Sequence, residues 1–143
     1  MSVRYWIGVV SGDHVAFGVE NGLCAFSKGA ESAIRKLSDG DRFAYYSPKT
    51  EFMAGDPVQK FTALGTIVDA TPTLNNWAGH KIWTAKAVYA AFTPADVRPL
   101  LEPLAFVTNP AKWGMAFRRG QFEITEADFR LIEAAMTGKA QNV

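Results

Sequence analysis

Two adjacent arginines, Arg118 and Arg119, stand in the stretch WGMAFRRGQFEI over residues 113–124, between an aromatic residue and a glycine. Two guanidiniums held close together make a fork of donors that suits phosphate or carboxylate. In an extended chain Met115, Phe117 and Arg119 fall on one side, and Ala116, Arg118 and Gly120 on the other. Gly120 is expected to turn the chain with a positive φ. Gln121, Phe122, Glu123 and Ile124 then alternate again and lead into a helix. The arginines are thus expected on the shoulder of a short hairpin. The plainer alternative is a solvated pair that only keeps the hairpin soluble.

Trp77 is the second chemically suggestive residue. It follows Asn75 and Asn76 and precedes Ala78-Gly79-His80, so it reads as an indole on a loop. Such an indole either walls a pocket for a flat ligand or plugs the end of a barrel; a base stacked on it would gain about 1–3 kcal/mol. Trp6 and Trp83 lie in strand patterns and read as core.

The catalytic inventory is thin. His14 and His80 are the only histidines, and their spacing does not match a metal ligand set. Cys24 is the single cysteine, which excludes an internal disulfide and a cysteine metal site. His14 could serve it as a base, but no third group orients the pair, and a free cysteine behaves as a small core residue. There is no phosphate-binding loop and no dinucleotide fingerprint. Asp39 and Asp41 flank Gly40 and read as turn residues. A non-catalytic binding module, without metal or cofactor, is favoured over an enzyme.

The elements that must position these groups are short. The chain has 143 residues, is 48% hydrophobic and 20% charged, and therefore suits one ordinary domain with a real core. Its net charge of +1 is too mild to coat nucleic acid by charge alone, so any basic site must be local. The opening MSVRYWIGVV reads as a strand without a signal-peptide pattern, no apolar run reaches membrane-span length, and lone Cys24 suits a reducing, cytoplasmic setting.

The patterns predict strands over residues 4–10, 42–46, 58–68 and 81–92, with Pro48 closing the second and Gly65 marking a bulge or close approach. Helices are predicted over 14–20, stopped by Asn21-Gly22, and over about 30–37. Thr93-Pro94-Ala95-Asp96 reads as a further helix start, and Thr125 as the cap of a last helix with Phe129, Ile132, Ala135 and Met136 as its apolar stripe. Residues 50–57 and 69–79 read as loops, and 137–143 as a frayed tail. Without regular βα alternation, the expected fold is α+β: a curled, mostly antiparallel sheet, closed into a barrel, with flanking helices.

Four stretches in order, RYWIGVVSGDHV, GDRFAYYSPKT, FTALGTIV and WGMAFRRGQFEITEADFRLI, resemble the EVE domain family, and the similarity runs from Arg4 to about Met136. That family belongs with the PUA-like folds and is related to the YTH readers of methylated RNA. The resemblance implies a single EVE-like domain over residues 1–143 and a PUA-like β-barrel. It also implies a pocket that takes one flipped, modified base out of a nucleic-acid strand, chiefly a modified cytosine in DNA. Carried onto this sequence, Ser11, Cys24, Ser47, Pro48 and Trp77 would form the base pocket. Lys28, Lys49, Arg118 and Arg119 would hold the phosphates. The partner implied is nucleic acid, DNA favoured over RNA, with no membrane and an open oligomeric state. A rival use of the same cleft is a small-molecule site for a free nucleoside or nucleotide, or a weak enzyme.

Overall fold

Strand propensity in the first residues is realised as β1, Tyr5–Val9, whose three central residues are buried. A computed structural model describes residues 3–51, 54–77 and 79–138. Within it β1 is followed by α1 (Gly12–Asn21), β2 (Leu23–Cys24), a 3₁₀ turn (Ser27–Gly29) and α2 (Glu31–Arg35). Next come β3 (Arg42–Glu51), β4 (Ala54–Trp77), β5 (His80–Tyr89) and β6 (Ala95–Asp96). Two 3₁₀ segments (Arg98–Leu100 and Pro110–Phe117), β7 (Gln121–Ile124) and α3 (Glu126–Thr137) complete the chain. No helix among the described residues is long and apolar enough to cross a membrane.

The seven strands form one sheet in the order β2-β5-β4-β3-β1-β7, with β6 paired to β4. β1 and β3 run parallel, from Tyr5↔Arg42 to Val9↔Tyr46; the other pairings are antiparallel. A parallel pair needs a crossover connection, and the segment holding α1, β2 and α2 supplies it. The expected barrel does not close: β2 and β7 are the two ends of the sheet and do not pair with each other. With two and four residues respectively, neither edge is long enough for a substantial closing ladder.

Side chains alternate across the pleat, and both faces of the central strands are covered. Ile7, Ala44 and Tyr46 join one apolar cluster with Phe129, Ile132 and Met136 of α3. Trp6, Phe43 and Tyr45 join the other with Val15 of α1 and Ile34 of α2. The cap of α3 is as read: the Thr125 hydroxyl accepts the Asp128 N–H at 3.1 Å. Helix α1 also stops as read, with Gly22 left-handed at φ 66°.

Several expectations fail for identifiable reasons. Pro48 does not end β3; a register shift between Ser47 and Lys49 takes it up and the strand continues, because a proline is tolerated at a bulge. The expected 50–57 loop is instead two strand ends, with residues 52 and 53 outside the described set. Of the expected 69–79 loop, residues 69–77 are strand, and residue 78 lies outside the described set. Register shifts near Asp69 and Thr73 bend β4, which then pairs with β5 as far as Trp77↔His80. Thr93-Pro94-Ala95-Asp96 starts no helix, because Ala95 and Asp96 pair with Phe61 and Lys60 of β4. Residues 110–117 are not extended: Asn109 accepts the Ala111 N–H at 3.2 Å, Pro110 fixes the first φ, and the chain winds as 3₁₀. Of the expected frayed tail, Thr137 ends α3 and Gly138 caps it; residues 139–143 lie outside the described set.

The close approach expected at Gly65 is present. Its cross-strand partner is Phe43, whose ring would stand 2.3 Å from any Cβ added there. Because Phe43 is fully buried among other rings, it has little room to yield. We expect Gly65→Ala to cost about 1–3 kcal/mol by overpacking, read from urea unfolding; a loss below about 0.5 kcal/mol would show that the ring can swing aside.

Candidate functional site

Where β1 ends and α1 begins, the chain opens onto a cavity of about 740 Å³, within the about 300–1,000 Å³ typical of ligand sites. Five pieces of chain wall it. They are the β1–α1 junction with Ser11 and His14, the Ser27–Gly29 turn, Pro48 and Lys49 of β3, the β4–β5 hairpin tip with Trp77, His80, Lys81 and Ile82, and Phe117 to Gly120.

Seven residues read from the sequence as site candidates line this one cavity: Ser11, Lys28, Pro48, Lys49, Trp77, Arg118 and Arg119. Two others do not. Ser47 is fully buried, and its hydroxyl is paired with the Thr62 hydroxyl at 2.7 Å. Cys24 belongs to the core cluster beneath α1, and burial pushes its thiol up to about 12. A thiol held that high is protonated at neutral pH and is a poor nucleophile. Both are residues that the resemblance implied for the pocket, and both are buried.

The Ser27–Gly29 wall is strained. Ser27, Lys28 and Gly29 all have positive φ, at 51°, 60° and 81°. Non-glycine residues rarely adopt this conformation, and such strain persists where surroundings enforce it. Here Gly29 sits on Ile82, which would be 2.6 Å from an added Cβ, and Gly120 sits against Ser27, with 3.0 Å to its Cα. Gly120 is therefore required by a close approach, and not by the positive φ expected of it, which it lacks.

Trp77 stands at the hairpin tip and not on a free loop. It is half-buried and leans on α1, with its ring centroid 5.4 Å from His14 and 6.1 Å from Phe17. Sequence reasoning missed Lys81 and, as a cavity residue, His14. Burial holds its imidazole down at about 4, against the raising effect of Asp13. A neutral imidazole offers one donor and one acceptor. Asp13 is itself engaged, accepting the Ser11 hydroxyl and the His14 backbone N–H. The only sequence signal for His14 was its place on the first turn of a helix after a strand.

Charge at the cavity is one-sided. Lys28, Lys49, Lys81, Arg118 and Arg119 line it, and among the described residues no carboxylate does. Among the described residues none of these five makes an ion pair, whereas Arg4, Arg35, Arg42, Arg98 and Arg130 all pair with carboxylates elsewhere. Arg119 is steadied differently, its guanidinium lying 4.4 Å from the Phe122 ring centroid. The described residues contain no cluster of three or more metal-ligating side chains. What the cavity offers is an aromatic wall, a neutral imidazole and unpaired cations: the means to hold a flat, anionic ligand.

The EVE domain family model matches residues 4–135 of this chain. A UPF0310 protein of Renibacterium salmoninarum is 41% identical over 134 residues, covering 94% of this chain and 96% of the relative. A UPF0310 protein of Mycobacterium avium is 37% identical, covering 92% and 96%. Among solved structures, the YTH domain of the Zygosaccharomyces rouxii MRB1 protein, in complex with N6-methyladenosine RNA, is similar with a TM-score of 0.60. It covers 93% of this chain and 84% of that one, at 14% identity, a likeness of fold alone.

Proposed function

The chain belongs to the EVE domain family, and from that premise and its cavity we propose that it is a non-catalytic nucleic-acid-binding module that captures one flipped, modified nucleotide. The observation that carries this is a cavity with an indole wall and five lining cations; among the described residues none of the five is ion-paired and no carboxylate lines the cavity. Trp77 stacks on the extracted base, while His14 and Ser11 read its edge. Lys28, Lys49, Lys81, Arg118 and Arg119 hold the backbone on either side, and Pro48 shapes the rim. An unpaired or destabilised base is the easier one to extract.

The resemblance to modified-cytosine readers and the YTH neighbour's methylated RNA define the two arms of the test. Binding is measured on DNA oligonucleotides carrying modified cytosines and on RNA carrying N6-methyladenosine, each against its unmodified form. A buried methyl group alone contributes about 0.8 kcal/mol, under five-fold, so stronger discrimination points to a hydrogen bond from His14 or Ser11.

The salt dependence separates this reading from a free-nucleotide site. Each single-strand phosphate contact adds about 0.7 to the steepness of log K against log salt, so three or more contacts give a slope steeper than about −2. Replacing Arg118 and Arg119 together with glutamine should reduce that slope by about 1.4 and lower affinity for every oligonucleotide alike, since phosphate contacts position a strand without reading it. A double variant that changes base preference and keeps the slope would refute the phosphate role. A wild-type slope shallower than about −1 would point to a small-molecule ligand instead.

A further inference from the structure

Next to the cavity, on the outside of the 3₁₀ segment Pro110–Phe117, lies an open depression of about 540 Å³ lined by Lys112, Gly114, Met115 and Arg118. Arg118 is the one lining residue it shares with the main cavity. We propose that the strand leaves the cavity past Arg118 on this side and seats its next nucleotide here, the base against Met115 and the phosphate between Lys112 and Arg118. The proposal rests on the reading of the main cavity as a nucleotide site.

Three observations argue for an occupant. Met115 is 56% exposed, although of the aromatics two residues away Phe117 belongs to the core cluster and Trp113 packs against it. An exposed thioether is a soft, polarisable surface for an aromatic ring. Gly114 has neither a positive φ nor a neighbour within 4 Å of an added Cβ, so backbone strain and packing do not explain a glycine there. A side chain at 114 would project into open space beside the depression, which glycine keeps clear. Lys112 breaks the 3₁₀ winding at φ −123°, ψ 42°, and among the described residues it makes no ion pair. It therefore adds a second cation beside Arg118, and among the described residues no carboxylate lines the depression. The occupant that fits an apolar platform between two cations, continuous with a nucleotide cavity, is more of the same strand.

The test compares strand lengths. The probes are the monophosphates of 5-methyl-2′-deoxycytidine and of N6-methyladenosine, and trinucleotides carrying each with two unmodified pyrimidines on the 5′ side only or the 3′ side only. Monophosphate binding is followed by NMR shifts at millimolar concentration. For the wild type, extension on one side and not the other should tighten binding about five-fold or more. Lys112→Gln with Met115→Ala, both at exposed positions, should erase that gain, make the slope against salt shallower by about 0.7, and leave monophosphate binding unchanged. Gly114→Glu should abolish the gain as well, by filling and charging the depression. Thermal unfolding of each variant checks that the fold is kept. If a monophosphate binds but neither extension helps, or the gain survives in the variants, the path is wrong and the cavity reading stands. If neither monophosphates nor trinucleotides bind, the cavity reading falls and the path with it.

Discussion

Trp77→Ala is expected to weaken oligonucleotide binding by about 1–3 kcal/mol, roughly ten-fold to more than a hundred-fold, while costing the fold far less than Trp6→Ala. The two indoles are held differently. Trp77 is half-buried at the tip of the β4–β5 hairpin, and its ring neighbours are His14 and Phe17 of α1. Trp6 is in the core, and its Nε1–H donates to Asp41 at 3.0 Å. Asp41 is 1% exposed and also accepts the backbone N–H groups of Arg4 and Ser38. Removing Trp6 leaves a cavity worth about 3–5 kcal/mol, and it takes one donor from a buried carboxylate, which adds to the cost.

Two measurements on both variants decide the matter: thermal unfolding and oligonucleotide binding. Trp77→Ala should affect binding more than stability, and Trp6→Ala the reverse. A Trp77→Ala protein that unfolds early and binds normally would make this indole a prop for α1, and the base would have to be sought against another wall. Trp77→Phe sharpens the comparison: a smaller ring that still stacks should recover part of the binding lost in the alanine variant.

Much of this arrangement was legible in the sequence, because local rules and tertiary structure agree there. The alternation over β1, the Asn21-Gly22 stop and the Thr125 cap each follow from a few neighbouring residues. The grouping of Lys28, Lys49, Trp77, Arg118 and Arg119 around one cavity followed from resemblance and not from spacing, since they come from different elements. Where the sequence misled, a long-range contact had overridden a local preference. Pairing with Phe61 and Lys60 takes Ala95 and Asp96 away from a helix. Pairing with β5 turns an asparagine-rich apparent loop into the end of β4. Asp41 reads as a turn residue, yet it gathers three donors brought to it by β1 and the turn itself. Ser47 and Cys24, implied for the pocket by resemblance, are buried instead, Ser47 paired with Thr62 and Cys24 in the core cluster, because a resemblance carries over a position and not its packing.

The pH dependence of stability should carry the signature of His14. Burial holds its folded-state value at about 4, below the ordinary 6.5 that it regains on unfolding. Between those values the unfolded chain binds a proton that the folded chain refuses, so stability falls as pH falls. The contribution is intact above about pH 6.5, is lost progressively below it, and levels off under pH 4. From pH 7.5 to pH 5 this single group should remove about 2 kcal/mol, by the same linkage. Carboxylates titrate in the lower part of that window, so the quantity to read is the difference between the wild type and His14→Gln, each unfolded in urea at pH 7.5, 6 and 5. The glutamine variant keeps a donor and an acceptor but has no proton to gain; its stability should fall by about 2 kcal/mol less over the same range. Equal pH slopes in the two proteins would mean that the imidazole is protonated or solvated in the fold, and it could not then present a neutral edge to a base. Because the folded imidazole stays neutral down to about 4, oligonucleotide affinity should show no step from His14 between pH 5 and 8. If His14 reads a base edge as proposed, stability responds to mild acid while base recognition does not.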